Sequence, residues 1–417
     1  MSEDLARKLH QAIKDNNLTA VDIILQNEAQ RADASYTVDN KSALGTAAEG
    51  GSCAITELLI KHGCDINVGA AILKSPVFLA ARCGHLDLVK LLVKSGANLS
   101  LRNAAGNTPF HEACLNGHLD IVKYLMSLPG CDVNDRTNGK ETPLHMASLK
   151  GHLDIAKELI KAGADLFAVK GGVGPSAIHL ATASDRADII DLLINSGVDV
   201  DTAIQENDRT AIHIASISGS VKAAKILISH NCDVNKISIE NDEMKSPLLK
   251  AVELNKTEIA RLLIDAGADL DHGDHYGATP LIMATHFHNL ELVYSLVQAG
   301  CNVNKKTKNG LTPFRIALQP YPNVWMMNLF IMAGAVVSDH NLSNLKEMST
   351  QKSYFSAEDM LYLVTLARNP FSLKNCCRIA IRSVLKKPVC NSTGNLQLPS
   401  QLTDFLHLKE LEESKVR

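Results

Sequence analysis

Sixteen histidines and ten cysteines give this chain ample material for metal binding or nucleophilic chemistry. Imidazole and thiolate are the usual zinc ligands, and a Cys–His pair can generate a nucleophile. Spacing decides whether such groups converge. His111, His145, His179 and His213 recur at equal intervals, and His85, His118 and His152 recur with nearly the same period. Groups spread this evenly belong to a repeating structural element, in which ring nitrogens satisfy backbone and Thr groups between units. Cys64, Cys131, Cys232 and Cys301 share one slot of the same repeat and read as small buried hydrophobes. No two cysteines form a C-x-x-C pair.

Two local features remain. Asp269, Asp271, His272, Asp274 and His275 are clustered metal-ligand types, but they fall on a predicted hairpin between repeats, where such residues are normally solvated. Gly171-Gly172-Val173-Gly174 lacks the Lys-Ser/Thr and the β-α-β context of a phosphate loop. The expectation is therefore no catalytic set, no metal and no cofactor.

The element that positions all these residues is a short repeat. Thr108-Pro109-Phe110-His111-Glu112-Ala113 recurs as Thr142-Pro143-Leu144-His145-Met146-Ala147, with weaker copies from Ser42, Ser75, Ser176, Thr210, Ser246, Thr279 and Thr312. The step from one anchor to the next is nearly constant and is widest between Thr210 and Ser246. Thr caps a helix and Pro takes its first position. Leu144, Ala147 and Ser148 then form a narrow inward stripe, and Gly151 ends the helix. A second helix is predicted over 153–161 with Ile155, Leu159 and Ile160 inward, and Gly163 stops it. A short extended hairpin leads to the next copy. No unit buries its own face, so the units must stack.

Composition fits an aliphatic helical stack: 46% hydrophobic, 21% charged and only 4% aromatic, with one Trp. With 42 Lys+Arg against 45 Asp+Glu, nothing in the whole-chain charge points to nucleic acid or an anionic membrane. The longest nearly apolar run, Val324 to Val337, is too short to span a bilayer. The N-terminus lacks a secretory pattern, so the cysteines are expected as free thiols in a reducing compartment, cytoplasmic and also nuclear.

This grammar resembles the ankyrin repeat over roughly residues 1–340. The resemblance implies an all-α solenoid of about nine to ten helix-turn-helix units, with 5–28 as a degenerate first unit or N-terminal cap. Such a solenoid binds proteins on its concave face, formed by hairpin tips and the first-helix positions just before the mid-repeat Gly. Those positions give Leu115, Asn116, Leu149, Lys150, Ile217, Leu254 and Phe287 as target-binding candidates, several of them apolar where exposure is expected. The long unit between Thr210 and Ser246 adds its extra length at Ile239–Glu243, a hairpin that could also reach a ligand.

After Gly334 the grammar stops. A helical linker spans 341–368, with one helix over Ala357–Ala367 behind Ser356. A second helix follows Asn369-Pro370 and ends at Pro388, with Leu373, Cys377, Ala380, Ile381 and Val384 on one face. Periodicity alone leaves open whether that stripe packs on its own solenoid or docks in a partner. Ser372-Leu373-x-x-x-Cys377-x-x-x-Ile381 is similar to the elongin-binding box that opens a SOCS box. Leu396-Gln397-Leu398-Pro399 looks like its cullin box, with Gln397 where a first Pro is expected. The chain thus resembles the ankyrin-repeat and SOCS-box family, with the SOCS box at 369–410 and a tail at 411–417.

That resemblance implies a substrate receptor of a cullin-RING ubiquitin ligase, with no catalysis of its own. Leu373, Cys377, Ile381 and Val384 would contact elongin C within elongin B–C, and Leu396, Leu398 and Pro399 would contact cullin-5, which brings its RING partner. An unidentified target would occupy the concave face. Two other readings are a plain ankyrin scaffold whose C-terminal helices only cap the solenoid, and a metal enzyme built on Asp271, His272, Asp274 and His275.

Overall fold

A computed structural model describes residues 3–27, 38, 41–68, 75–240, 243–318 and 323–337. The chain divides into two compact units, Met1–Asp199 and Val200–Arg417. In the first unit lie α1 (Glu3–Lys14), α2 (Leu18–Asn27), α3 (Ala43–Gly50), α4 (Cys53–Lys61), α5 (Pro76–Cys83), α6 (Leu86–Lys94), α7 (Pro109–Asn116), α8 (Leu119–Met126), α9 (Pro143–Lys150), α10 (Leu153–Lys161), α11 (Ala177–Ala183) and α12 (Ala187–Asn195). The second unit holds α13 (Ala211–Ser218), α14 (Val221–Ser229), α15 (Pro247–Glu253), α16 (Thr257–Asp265), α17 (Pro280–His286), α18 (Leu290–Gln298), α19 (Pro313–Ala317) and α20 (Val324–Met332). The helices are antiparallel pairs, and α1–α2 is the degenerate first unit anticipated at 5–28.

Each first helix starts as its residues dictate. Thr142 Oγ1 accepts the His145 N–H at 3.4 Å, while the Thr142 N–H donates to His145 Nδ1 at 3.1 Å. This is a capping box with His in place of the usual Glu, and Thr108–His111, Ser176–His179 and Thr210–His213 repeat it. First helices pack on first helices within each unit, α3 to α5 to α7 to α9 to α11 and α13 to α15 to α17 to α19. Leu144, Ala147 and Ser148 are buried as the spacing requires. In α10 the buried set is Ile155, Ala156 and Leu159. Ile160, expected inward, is only half-buried, because the stripe that meets the partner helix follows i, i+1, i+4 and turns Ile160 outward.

The connections are mostly turns. Among the described residues one forms a ladder, β1 (Ser238–Glu240) with β2 (Glu243–Lys245), in the lengthened unit. Ile239 and Met244 pair across it and are 51% and 53% exposed, while Ser238 and Lys245 on the other face are buried. Adjacent loops are joined by side-chain rungs. Asn134 Oδ1 accepts the Asp165 N–H at 2.7 Å in the first unit, and Asn235 Oδ1 accepts the Asp269 N–H at 2.7 Å in the second. Asn67, Asp201, Asp271 and Asn304 make the same rung. Ser100 and Phe167 stand at that position in the first unit without making it, and Phe167 is 64% exposed.

The tightest joint lies where a first helix ends. Gly51, Gly84 and Gly117 adopt φ of 76°, 86° and 85°, in the left-handed region that glycine tolerates best. The imidazole of the next repeat lies against each. His85 Nε2 meets Glu49 O at 3.0 Å, His118 Nε2 meets Arg82 O at 2.8 Å, and His152 Nε2 meets Leu115 O at 3.1 Å. A Cβ on Gly117 would sit 2.6 Å from His152 Cε1. Gly63, at φ +81°, has no atom within 4 Å of such a Cβ. Both Gly117→Ala and Gly63→Ala should cost about 1–2 kcal/mol for the left-handed backbone. Gly117→Ala should lose about 1 kcal/mol more, through the displaced ring and its hydrogen bond. Denaturant midpoints of the two variants check this, and equal losses would show that the ring is free to move.

Candidate interaction surfaces

The structure sorts the predicted target-binding residues by their place in the last helical turn. Leu115, Leu149 and Ile217 are half-buried, although exposure was expected of them. They lie inside the final turn, one residue before its end. Asn116 and Lys150, the last residues of α7 and α9, are exposed. In the second unit that later position holds Leu254 and Phe287, the caps of α15 and α17, which are 42% and 50% exposed. Of the five apolar candidates, these two present real apolar surface.

Their surroundings are charged. Lys245 Nζ, from β2, meets Glu253 Oε1 at 2.7 Å, and Lys250 Nζ lies 3.4 Å from Glu253 Oε2. Burial pushes the Glu253 carboxyl up, but the two lysines outweigh it and hold it below its ordinary value. Beside Phe287 the ring of His286 stands edge-on at 5.3 Å. In the first unit Glu49 takes the place of Glu253, paired to Lys41 and, at 2.9 Å, to Arg82.

The carboxylates of the Asp269–His275 segment build turns. Asp269 Oδ1 accepts the Asp271 N–H, Asp271 Oδ1 accepts Asn302 N–H, and Asp274 Oδ1 accepts both Tyr276 and Ala278 N–H, all within 2.8–2.9 Å. Among the described residues no three His, Cys, Asp or Glu side chains are grouped to hold a metal ion. The Gly171 N–H donates to Gly139 O of the preceding loop at 3.0 Å, so the glycine-rich stretch stacks on its neighbour. Sequence reasoning missed a cavity of about 350 Å³ beside Ser100, lined also by Leu99, Leu128, Pro129, Cys131 and Asp132. Ser100 in place of the Asn or Asp of a rung, and one extra residue between Gly117 and Gly130 compared with the neighbouring repeats, were its only signals.

With this geometry in place, the chain can be set beside known proteins. The family model described as ankyrin repeats (3 copies) matches residues 77–170, 167–238 and 235–307, more than half of the chain, and the SOCS box model matches 369–407. The chain belongs to the ankyrin-repeat and SOCS-box family. The crystal structure of the human ASB11 ankyrin repeat domain matches at 25% identity, covering 55% of this chain and 99% of that one, with a TM-score of 0.48. No curated protein matches. Leu373, Cys377, Ile381, Val384, Leu396, Leu398 and Pro399 of this ankyrin-repeat and SOCS-box protein fall within the matched SOCS box, and lie outside the described residues. Among the described residues no helix is long and apolar enough to cross a membrane.

The histidines of the capping boxes are engaged by the backbone they cap. His213 receives the Thr210 N–H on Nδ1 at 3.2 Å, which places its proton on Nε2, 3.3 Å from Lys245 O. Burial pushes it down to about 4, against the pull of the Lys245 and Lys236 carbonyls. Burial also lowers His111 and His145. Cys64 and Cys131 are half-buried where full burial was expected, and burial raises both thiols to about 11. Cys232, fully buried, is pushed up to about 12, so all three remain protonated at neutral pH.

These histidines set a pH dependence. Above about pH 6.5 they are neutral in both folded and unfolded chains, so they add no slope. Between there and about 4, the unfolded chain binds a proton at His213 that the folded chain does not. Stability therefore falls as pH falls through this window. His213→Gln should reduce the slope by up to about 1.4 kcal/mol per pH unit. Urea unfolding at several pH values from 7 to 4.5 checks it, and an unchanged slope would mean that His213 protonates freely in the fold.

Proposed function

We propose that this protein is the substrate-recognition subunit of a cullin-RING ubiquitin ligase of the elongin B–C, cullin-5 type. The observation that carries the reading is a SOCS box following an ankyrin-repeat stack in one chain. The stack supplies a surface for a protein target and the box a handle for the ligase. The chain then makes no bonds itself. It holds a target where a ubiquitin-charged enzyme can reach its lysines, and its contribution is proximity.

The residues take distinct roles in this reading. Leu373 fills the elongin C pocket, and Cys377, Ile381 and Val384 extend the contact along the helical stripe. Leu396, Leu398 and Pro399 meet the cullin, with Gln397 in place of the first Pro. In the second unit Leu254, beside the Lys245–Glu253–Lys250 network, and Phe287 offer the target apolar anchors; in the first unit Asn116 and Lys150 present exposed polar side chains of their own. The complex works in the cytoplasm and the nucleus.

Co-expression with elongin B and elongin C should give a ternary complex on size exclusion. Burying a Leu is worth about 1.5–3 kcal/mol, so Leu373→Asp should weaken assembly by at least about tenfold. A well-behaved monomer in both cases would leave a scaffold whose C-terminal helices belong to its own core. Leu254→Asp with Phe287→Asp should preserve the ternary complex and change stability by less than about 0.5 kcal/mol each. In cells, proximity labelling by the double variant should lose proteins that wild type labels. An unchanged set would move target binding to another surface.

A further inference from the structure

The last described helix is built unlike a terminal one. The end of a repeat stack needs a polar outer face to stay soluble. Yet α20, VWMMNLFIM, has Asn328 as its single polar residue in nine. Its register is fixed by its cap: Asn323 Oδ1 accepts the Met326 N–H, just as Asn289 Oδ1 accepts the Leu292 N–H at the start of α18.

Contacts within the second unit show which stripe of a second helix faces onward. Lys225 of α14 reaches Glu258 of α16 at 3.6 Å, and Arg261 of α16 reaches Glu291 of α18 at 2.9 Å. Tyr294 of α18 lies 6.2 Å from Trp325 of α20, ring to ring. The fifth residue of each helix therefore faces the second residue of the next. In α20 that fifth residue is Asn328, and Ile331 lies three residues on, along the same stripe.

The onward stripe of α20 is enclosed. Ile264 and Val297, which hold the place of Ile331 in α16 and α18, are 4% and 0% exposed, and each has a following helix beside it. Ile331 is also 4% exposed, although no helix follows it among the described residues. Asn328 Oδ1 is enclosed as well and has no hydrogen-bond partner among the described residues. A buried carbonyl oxygen without a donor is costly, so the layer beyond it should bring one.

We infer that the onward face of α20, Asn328 and Ile331, is covered by residues 356–367 of the same chain, packed as an additional helix on the end of the stack. The occupant is argued from where the chain goes. The described chain ends at Val337, shortly past Ile331, and the segment 338–355 separates that end from Ser356. Such a length is enough to turn back without strain. Ser356 is a helix cap, and Met360, Leu363, Val364 and Ala367 recur at i, i+3, i+4, i+7, a stripe matched to an apolar face. The packing does not depend on any elongin or cullin contact.

Hydrogen exchange on the full-length chain tests this. The amides of 357–367 should be protected in the free protein at every concentration. Leu363→Asp should speed exchange of α20 amides by at least about tenfold while leaving α13–α16 unchanged. Ile331→Asp should do the reverse and release 357–367. Because Ile331→Asp alone could simply unfold the last repeat, the Leu363→Asp arm decides. Unprotected 357–367 amides in wild type, or unchanged α20 exchange in Leu363→Asp, would overturn the inference. Protection that appears only on raising the concentration, or on adding elongin B–C, would overturn it in favour of a second copy or an outside partner.

Discussion

The structure depends on one joint: a left-handed residue at the end of a first helix, with a side chain of the following repeat laid against it, as at Gly51, Gly84, Gly117, Gly151, Gly219 and Asn255. At Gly51, Gly84 and Gly117 that side chain is an imidazole donating to a carbonyl of the preceding helix. The backbone there must turn sharply to start the second helix, and the last turn leaves carbonyls without internal partners. A helix end alone would leave those groups to water. The neighbour's ring satisfies one of them and occupies the space a Cβ would need. Stacking and helix termination are therefore a single event, and a repeat of this kind has no complete structure by itself.

This constraint explains why so many histidines do so little chemistry. One series completes capping boxes at the start of first helices, and the other closes their ends. In both, each nitrogen with a determined partner is held at a fixed distance by backbone or Thr groups. Burial keeps the capping histidines whose titration is displaced on the neutral side. The functional surface is left to positions the joint does not use, and in the second unit these hold Leu254 and Phe287.

Much of this was legible in the residues. Thr-Pro starts, Gly stops and a nearly constant step between anchors place nearly every helix, because capping and left-handed backbone are local demands. The neighbours decided what local rules could not. Ile160 reads as inward by helical spacing but turns outward, since the partner helix meets Ile155 and Ala156 together. Leu115, Leu149 and Ile217 read as exposed but sit one residue too early in the turn. The cavity beside Ser100 takes shape only once the loops are side by side, although Ser100 and Phe167 already break the Asn/Asp pattern of the rungs. Sequence pattern and family match alone speak for the SOCS-box residues.

Not every joint uses glycine. Asn255 and His288 adopt the left-handed conformation with side chains, at φ 55° and 54°. Over Asn255 the next repeat brings Asn289, whose amide donates to Asn255 Oδ1 at 2.6 Å, while Gly151 faces Arg186 instead. Each joint is thus a matched pair divided between two repeats. Duplicating, deleting or shuffling a single repeat would set a side-chain-bearing turn under an imidazole, or a bare glycine under a short amide. The heritable module in this architecture straddles the boundary between repeats, and gene rearrangements that respect that frame are the ones the fold can absorb.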